Sequence, residues 1–205
     1  MVQLRHEGSL LHIAADSGLD HARAAGHAVD VAVGDFDSVS DAGLRGAEAN
    51  RVELIRHDRD KDRTDLELAL DLVVDRGVET ALVLGGAGGR LDHLLGNLTV
   101  LASSRYRAVQ IEARMGEASL WVVRGERMLH PEVGMLLSLI PMHGDAEAVE
   151  TTGLRWPLEG ERLQAGSSRG VSNVVAATPV RVAVGVGVVL AVATSDEGCE
   201  AWPSR

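Results

Sequence analysis

The chain has 205 residues and a formal charge of −10, room for one large domain or two small ones and a balance that argues against nucleic acid or an anionic membrane surface as partner. A single cysteine, Cys199, excludes a disulfide framework and a cysteine-based zinc site. The eight histidines show no H-E-x-x-H spacing, which removes the commonest histidine-based metal enzymes.

The first seven residues lack the apolar core of a signal peptide. Residues 10–15 predict a strand that ends at Asp16-Ser17-Gly18, followed by a short helix stopping at Gly26. Residues 29–33 predict a second, buried strand that delivers Gly34-Asp35-Phe36-Asp37-Ser38. Asp35 and Asp37, two apart in an extended segment, are expected to point the same way and grip one divalent cation, with Mg²⁺ the best match to oxygen ligands. A polar turn would supply Asp and Ser as well. Residues 41–50 predict a helix and residues 51–56 a third strand. The run His57-Asp58-Arg59-Asp60-Lys61-Asp62-Arg63-Thr64-Asp65 holds the only lysine of the chain. A helix to about Gly77 follows, with Thr64 and Glu67 spaced as a capping box, so Asp62 and Asp65 fall at a helix N-terminus, as caps or as ligands. Residues 80–84 predict a fourth strand running into Gly85-Gly86-Ala87-Gly88-Gly89-Arg90-Leu91-Asp92-His93. That glycine-rich turn exposes amides to a phosphate, and Arg90 offers a fork for its oxygens, although it is neither a P-loop nor a GxGxxG fingerprint. A helix over 94–104 and a fifth strand over 109–113 complete the alternation.

Alternating strands and helices to about residue 113 predict a mostly parallel sheet with helices on both faces, in which ligands bind beyond the carboxyl ends of the strands. Asp16, the Asp35/Asp37 pair, the Asp62/Asp65 pair and Arg90/Asp92 all fall there, which suits a site for Mg²⁺ and a polyphosphate. From about residue 115 the pattern changes to short apolar or alternating runs at 118–123, 135–141 and 180–192, predicting an all-β sandwich or barrel-like domain. The most apolar run, 180–194, is too short and too interrupted to span a bilayer, and its alternation predicts a hairpin. The expected organisation is therefore an α/β nucleotide-binding domain over 1–113 and a β-sandwich over 114–205, in a cytoplasmic protein without membrane or nucleic-acid partners. Residues 166–173, Gly-Ser-Ser-Arg-Gly-Val-Ser-Asn, read as a loop, either plain surface or binding.

These stretches together resemble the thiamine pyrophosphokinase family. The likeness rests on Ala15-Asp16-Ser17-Gly18, Gly34-Asp35-Phe36-Asp37-Ser38, Lys61-Asp62-Arg63-Thr64-Asp65-Leu66-Glu67 and Gly88-Gly89-Arg90-Leu91-Asp92-His93. In the second half it rests on Ser138-Leu139-Ile140-Pro141, Gly153-Leu154-Arg155-Trp156-Pro157-Leu158 and the 166–173 loop. The resemblance implies transfer of a diphosphate from ATP to the hydroxyl of thiamine, Mg²⁺ as cofactor, and a homodimer with the active site at the subunit interface. It implies Asp35, Asp37 and Asp65 as metal ligands, Asp35, Asp37, Asp62, Asp65 and Asp92 as catalytic, and Asp16, Gly88, Gly89, Arg90, Asp92 and His93 around ATP. It implies Ser172 and Asn173 at thiamine, and Trp156 and Trp202 are the aromatics available to stack on its cationic ring. Ser17 departs from the family's Ala-Asp-Gly-Gly, placing a side chain where backbone would approach a ligand. The alternatives are a related Mg²⁺-dependent diphosphotransferase acting on a hydroxymethylpterin, and a non-catalytic nucleotide sensor, which should have lost these acids.

Overall fold

The computed structural model describes residues 1–6, 9–87 and 90–195. Cys199, Trp202, Gly88 and Gly89 lie outside the described residues. Among the described residues the chain forms two compact units, residues 1–100 with 108–111, and residues 101–107 with 112–195.

The first unit is a sheet with helices. In chain order it contains β1 (Val2–His6), β2 (Ser9–Ala15), α1 (Gly18–Ala24), β3 (Val31–Gly34), α2 (Asp41–Ala49), β4 (Glu53–Arg56), α3 (Asp65–Asp75), β5 (Thr80–Leu84) and α4 (Leu91–Leu101). The strands lie in the order β5-β1-β2-β3-β4. Neighbours β2, β3 and β4 are parallel, pairing Ile13 with Val31 and Ala32 with Leu54. Strand β1 runs antiparallel to both β2 and β5. It was not expected from the sequence: flanked on both sides in mid-sheet, it owes its place to tertiary pairing rather than to an apolar run of its own. Val31, Ala32 and Val33 are all buried, as a strand covered on both faces requires.

Helix α3 shows why these segments fold as they do. Thr64 is its N-cap in an extended conformation, and its hydroxyl accepts a hydrogen bond from Glu67 N at 3.2 Å. Leu68, Ala69, Leu70 and Val73 then return to one buried face. Helix α2 starts the same way on Ser40, whose hydroxyl accepts from Gly43 N and donates to Asp20 in α1. The expected helix over 94–104 instead begins at Leu91 and ends at Leu101, with a single 3-10 turn, Ser104–Tyr106, after it.

The second unit is a sheet built from long strands. Strand β6 (Gln110–Met115) enters it from Glu112 on, and β7 (Ala118–Leu129), β8 (Leu136–Thr152), β9 (Glu159–Leu163), β10 (Asn173–Val174) and β11 (Val180–Thr194) follow. The order is β10-β8-β11-β7-β6, with β9 pairing β8. The hairpin expected within 180–194 is a single strand. Its glycines serve close approach rather than a turn: a Cβ on Gly187 would stand 2.5 Å from Asp145 O, and one on Gly185 2.9 Å from the Ala148 Cβ. The register shifts there, between Val184 and Val189 against β7 and between Val186 and Val188 against β8. Trp121, Leu129, Leu137, Leu163 and, from β11, Val180, Val182, Val184 and Val189 form the buried core of this unit.

Candidate active site

Three chain crossings at the carboxyl ends of parallel strands bring the acids of the first unit together. Asp16 follows β2, Asp35 and Asp37 follow β3, and Asp65 opens α3 after β4. They line one cleft of 1150 Å³ together with Asp62, Arg59, Lys61, Arg90, His93 and the glycine-rich turn at Gly85 and Gly86. Asn97 of α4 ties that turn down by donating to Gly86 O at 3.2 Å. Asp92 is not among the lining residues; it turns to Arg90, with Oδ1 accepting from Nε at 3.1 Å.

Asp35 and Asp37 converge, but not by strand alternation. Strand β3 ends at Gly34, and Phe36 takes a left-handed φ of 61°. The segment is a tight turn in which Asp35 Oδ1 accepts from Asp37 N at 3.1 Å. Phe36 holds the strained turn in place: it is 5% exposed, packs with Ala14, Leu19, Ala32 and Ala47, and carries the Arg56 guanidinium 5.0 Å from its ring centre. Burying such a ring supplies about 1.5–3 kcal/mol, comparable to the ~1–3 kcal/mol cost of a left-handed non-glycine residue.

Gly34 lets the acids close in. Its φ is 151°, and a Cβ there would stand 3.1 Å from Asp65 Oδ1 and 3.3 Å from the Cα and Cβ of Asp16. Asp16 itself has φ 44°. Ser17, where glycine was expected, has φ −53° and caps α1 with ordinary right-handed backbone, so no glycine is required at that position.

One oxygen each of Asp16, Asp35 and Asp37 lie within 4.8 Å of one another. Asp16 Oδ1 is buried with no hydrogen-bond partner, and burial pushes its carboxyl above the usual range, with the charges of Asp65 and Asp35 adding to the effect. An orphaned buried carboxylate oxygen beside two more carboxylates is a donor set that fits a hard divalent cation. Asp65 joins the group differently. Lys61 Nζ stands 2.9 Å from Asp35 Oδ2 and 2.9 Å from Asp65 Oδ1. Burial works to lower the Lys61 ammonium, but its contacts with Asp65 and Asp35 outweigh that and hold it above its ordinary value. The same hydrogen bond from Lys61, with that from the Asp37 backbone, holds Asp35 below the usual carboxylate range. Arg59 reaches Asp37 Oδ2 at 2.7 Å. Neither cation had been assigned a role from the sequence; the signal was the alternation of acid and base from Asp58 to Arg63. His21 and His27, also in the cleft lining, carried no sequence signal.

The second unit places Ser172, Asn173 and Trp156 in one neighbourhood. Asn173 Oδ1 accepts from Trp156 N at 3.2 Å, and its Nδ2 donates to Trp156 O at 2.6 Å. Trp156 is 55% exposed, with the Arg155 guanidinium 5.0 Å from its ring centre. Ser172 takes φ 62°, and its N–H donates to Ser138 Oγ at 3.1 Å.

Both halves match known domains. Residues 2–113 match the family model described as thiamin pyrophosphokinase, catalytic domain, and residues 127–189 that described as thiamin pyrophosphokinase, vitamin B1 binding domain. A thiamine pyrophosphokinase of Bacillus subtilis is 29% identical over 144 residues, covering 69% of this chain and 67% of that protein. Thiamine pyrophosphokinase 1 of rice is 30% identical over 164 residues, which is 75% of this chain but 61% of the rice protein. The crystal structure of thiamine pyrophosphokinase from Bacillus subtilis superimposes with a TM-score of 0.80 at 26% identity, covering 91% of this chain and 88% of that one. A sheet-and-helix unit with an acid-lined cleft, followed by a unit of long strands, is thus the architecture of a transferase with a vitamin-binding half. The chain belongs to the thiamine pyrophosphokinase family, and thiamine diphosphokinase is the activity its two domains and its relatives support.

Proposed function

We propose that the chain moves a diphosphate from ATP to the hydroxyethyl oxygen of thiamine, releasing AMP, with the acid-lined cleft as the site of transfer. The observation that carries this reading is the convergence of Asp16, Asp35 and Asp37 on one point, with Asp16 Oδ1 lacking any protein partner. Asp35 and Asp37, with Asp16 and Asp65 beside them, would hold Mg²⁺. Bound there, the ion supplies charge neutralisation for the polyphosphate.

The remaining chemistry belongs to the chain's own groups. Arg90, exposed at the rim of the cleft and paired with Asp92 until a phosphate replaces that partner, and the amides of the glycine-rich turn orient the polyphosphate. The thiamine oxygen attacks the β-phosphorus, the new O–P bond forms as the bond to the α-phosphate oxygen breaks, and AMP leaves with that oxygen. A carboxylate of the cleft accepts the hydroxyl proton. Catalysis of this kind is positioning and electrostatics, which suits a turn locked by Phe36 and a helix capped at Thr64. Ser172 and Trp156 supply the thiamine contacts. Asn173 acts through Trp156, because both atoms of its amide are engaged with the Trp156 backbone. The register breaks within the long strands β8 and β11, where a sheet can bend and fold over on itself, support reading the second unit as a β-sandwich. A homodimer would bring the thiamine loop of one subunit to the cleft of the other.

Asp37→Asn tests the metal reading. It keeps the turn's shape but removes the ligand charge at that position, so turnover should fall to background while the circular dichroism spectrum and melting temperature stay near wild type. Near-normal activity in that variant would remove Asp37 from the metal set.

A further inference from the structure

The feature that the reading above leaves unused is Lys61. It is the only lysine among 20 cationic residues of the Lys/Arg type, in a chain that uses arginine everywhere else. A guanidinium spreads its charge over a planar fork, whereas an ammonium is a compact point charge with three donors. Such a compact charge packs readily between two carboxylates, and Lys61 Nζ stands 2.9 Å from an oxygen of Asp35 and 2.9 Å from one of Asp65. The side chain is 15% exposed, and Lys61 also lines the cleft in which the polyphosphate would lie.

The charges of the cleft give this position a consequence. Asp16, Asp35, Asp37 and Asp65 bring four negative charges, and Lys61 and Arg59 return two positive ones. Within this acid cluster the two cations offset only half of the carboxylate charge, while Asp62, Arg63 and Arg90 line the cleft around it. A divalent cation at Asp35 competes with the ammonium for the same oxygens, since metal–oxygen bonds of about 2.0–2.1 Å replace ammonium contacts about 0.8 Å longer. A polyphosphate, in turn, meets repulsion from the acids until that cation has loaded.

We propose that Lys61 is a phosphate-binding residue held in reserve: Asp35 and Asp65 keep its ammonium while the site lacks metal, and metal loading releases it to an oxygen of the polyphosphate. Metal and nucleotide binding are thereby coupled through one side chain. The proposal rests on the carboxylates being the metal site.

The test is a Lys61→Met variant, which keeps the length of the side chain and removes the charge. Mn²⁺ binding to the nucleotide-free chain is followed by electron paramagnetic resonance, and binding of α,β-methylene ATP at saturating Mg²⁺ by calorimetry. The expected result is opposite shifts: Mn²⁺ binds more tightly, because its competitor is gone, and the nucleotide analogue binds roughly tenfold more weakly, as loss of a charged hydrogen bond implies. Weakening of both would overturn the proposal, because it is the result of a merely structural prop for Asp35 and Asp65. An unchanged nucleotide affinity would overturn it too. If wild type binds no Mn²⁺ that Asp37→Asn abolishes, the metal reading itself fails, and that is separable from any effect of Lys61. Should the methionine variant not fold, the wild-type chain carries the test alone. Grown with ¹³C-labelled lysine it gives signals from Lys61 only, and Mg²⁺ without nucleotide should move them toward those of a solvated lysine. No movement on Mg²⁺ saturation would overturn the proposal.

Discussion

Gly170→Ala isolates the effect of space in the thiamine loop. The backbone at Gly170 is not left-handed, so alanine meets no torsional penalty there; the obstacle is that its Cβ would stand 2.0 Å from Leu139 O in β8. Even the tightest tolerated contact of 3.0 Å requires the loop to lift by about 1 Å, and the atom in the way is backbone that cannot swing aside. The lift breaks the hydrogen bond from Leu139 N to Gly170 O, 2.7 Å in the native chain, at a cost of about 1 kcal/mol. A chain of this length should then melt roughly 2–4 °C lower. Ser172 and Asn173 lie two and three residues on, so their positions shift with the loop, and a 1 Å misplacement costs up to ~10²-fold in catalysis. The assay is steady-state kinetics with each substrate varied in turn: KM for thiamine should rise at least about tenfold while KM for ATP is unchanged. Gly166→Ala is the control, because φ there is 79° but nothing lies within 4 Å of the new Cβ. It should cost a similar ~1 kcal/mol in stability and leave thiamine KM alone. A Gly170→Ala enzyme with wild-type KM for thiamine would refute the link between this contact and the thiamine site.

Three further outcomes follow from the first unit. Thr64→Ala removes the cap of α3 and should lower stability by about 1 kcal/mol; because Asp65 is the first residue of that helix, the Mg²⁺ concentration for half-maximal activity should rise as well. Gly34→Ala adds a methyl between Asp16 and Asp65 in a backbone region disfavoured for alanine, and Mn²⁺ titration should show loss of binding out of proportion to the change in melting temperature. Arg90 holds the Asp92 carboxyl down from 3.8 to about 2. A carboxyl depressed in the folded state supports the fold above its unfolded value and loses that role as pH falls through the folded one, so the Asp92 contribution disappears between about 3.8 and about 2. Carbon-detected NMR should place the Asp92 midpoint near 2 in wild type and distinctly higher in Arg90→Gln, where only the His93 backbone and ring still lower it.

Much of this site could be read in the sequence because its geometry is local. Thr64 and Glu67 are three residues apart, so the start of α3 and the placement of Asp65 follow from spacing alone. Strand ends in an α/β pattern collect ligands, which puts Asp16, Asp35 and Asp65 on one edge from the order of the elements alone. The missing parts are those decided by distant neighbours. Strand β1 is made by pairing with β2 and β5. The convergence of Asp35 and Asp37 depends on Phe36 being buried firmly enough to hold a left-handed turn. The glycines of β11 signal a turn when read along the chain and a close crossing when β8 is present. Lys61 stood out by being the only lysine, but its role needed the distance from residue 61 back to Asp35, which no spacing rule supplies.

The central claim is the bond that is cleaved and the oxygen that attacks. Phosphorus NMR of the purified chain with Mg²⁺, ATP and thiamine reads both at once. The account predicts thiamine diphosphate and AMP in equal amounts, with neither product forming in Asp37→Asn. ADP with thiamine monophosphate would contradict it, as would AMP release that requires a pterin alcohol instead of thiamine.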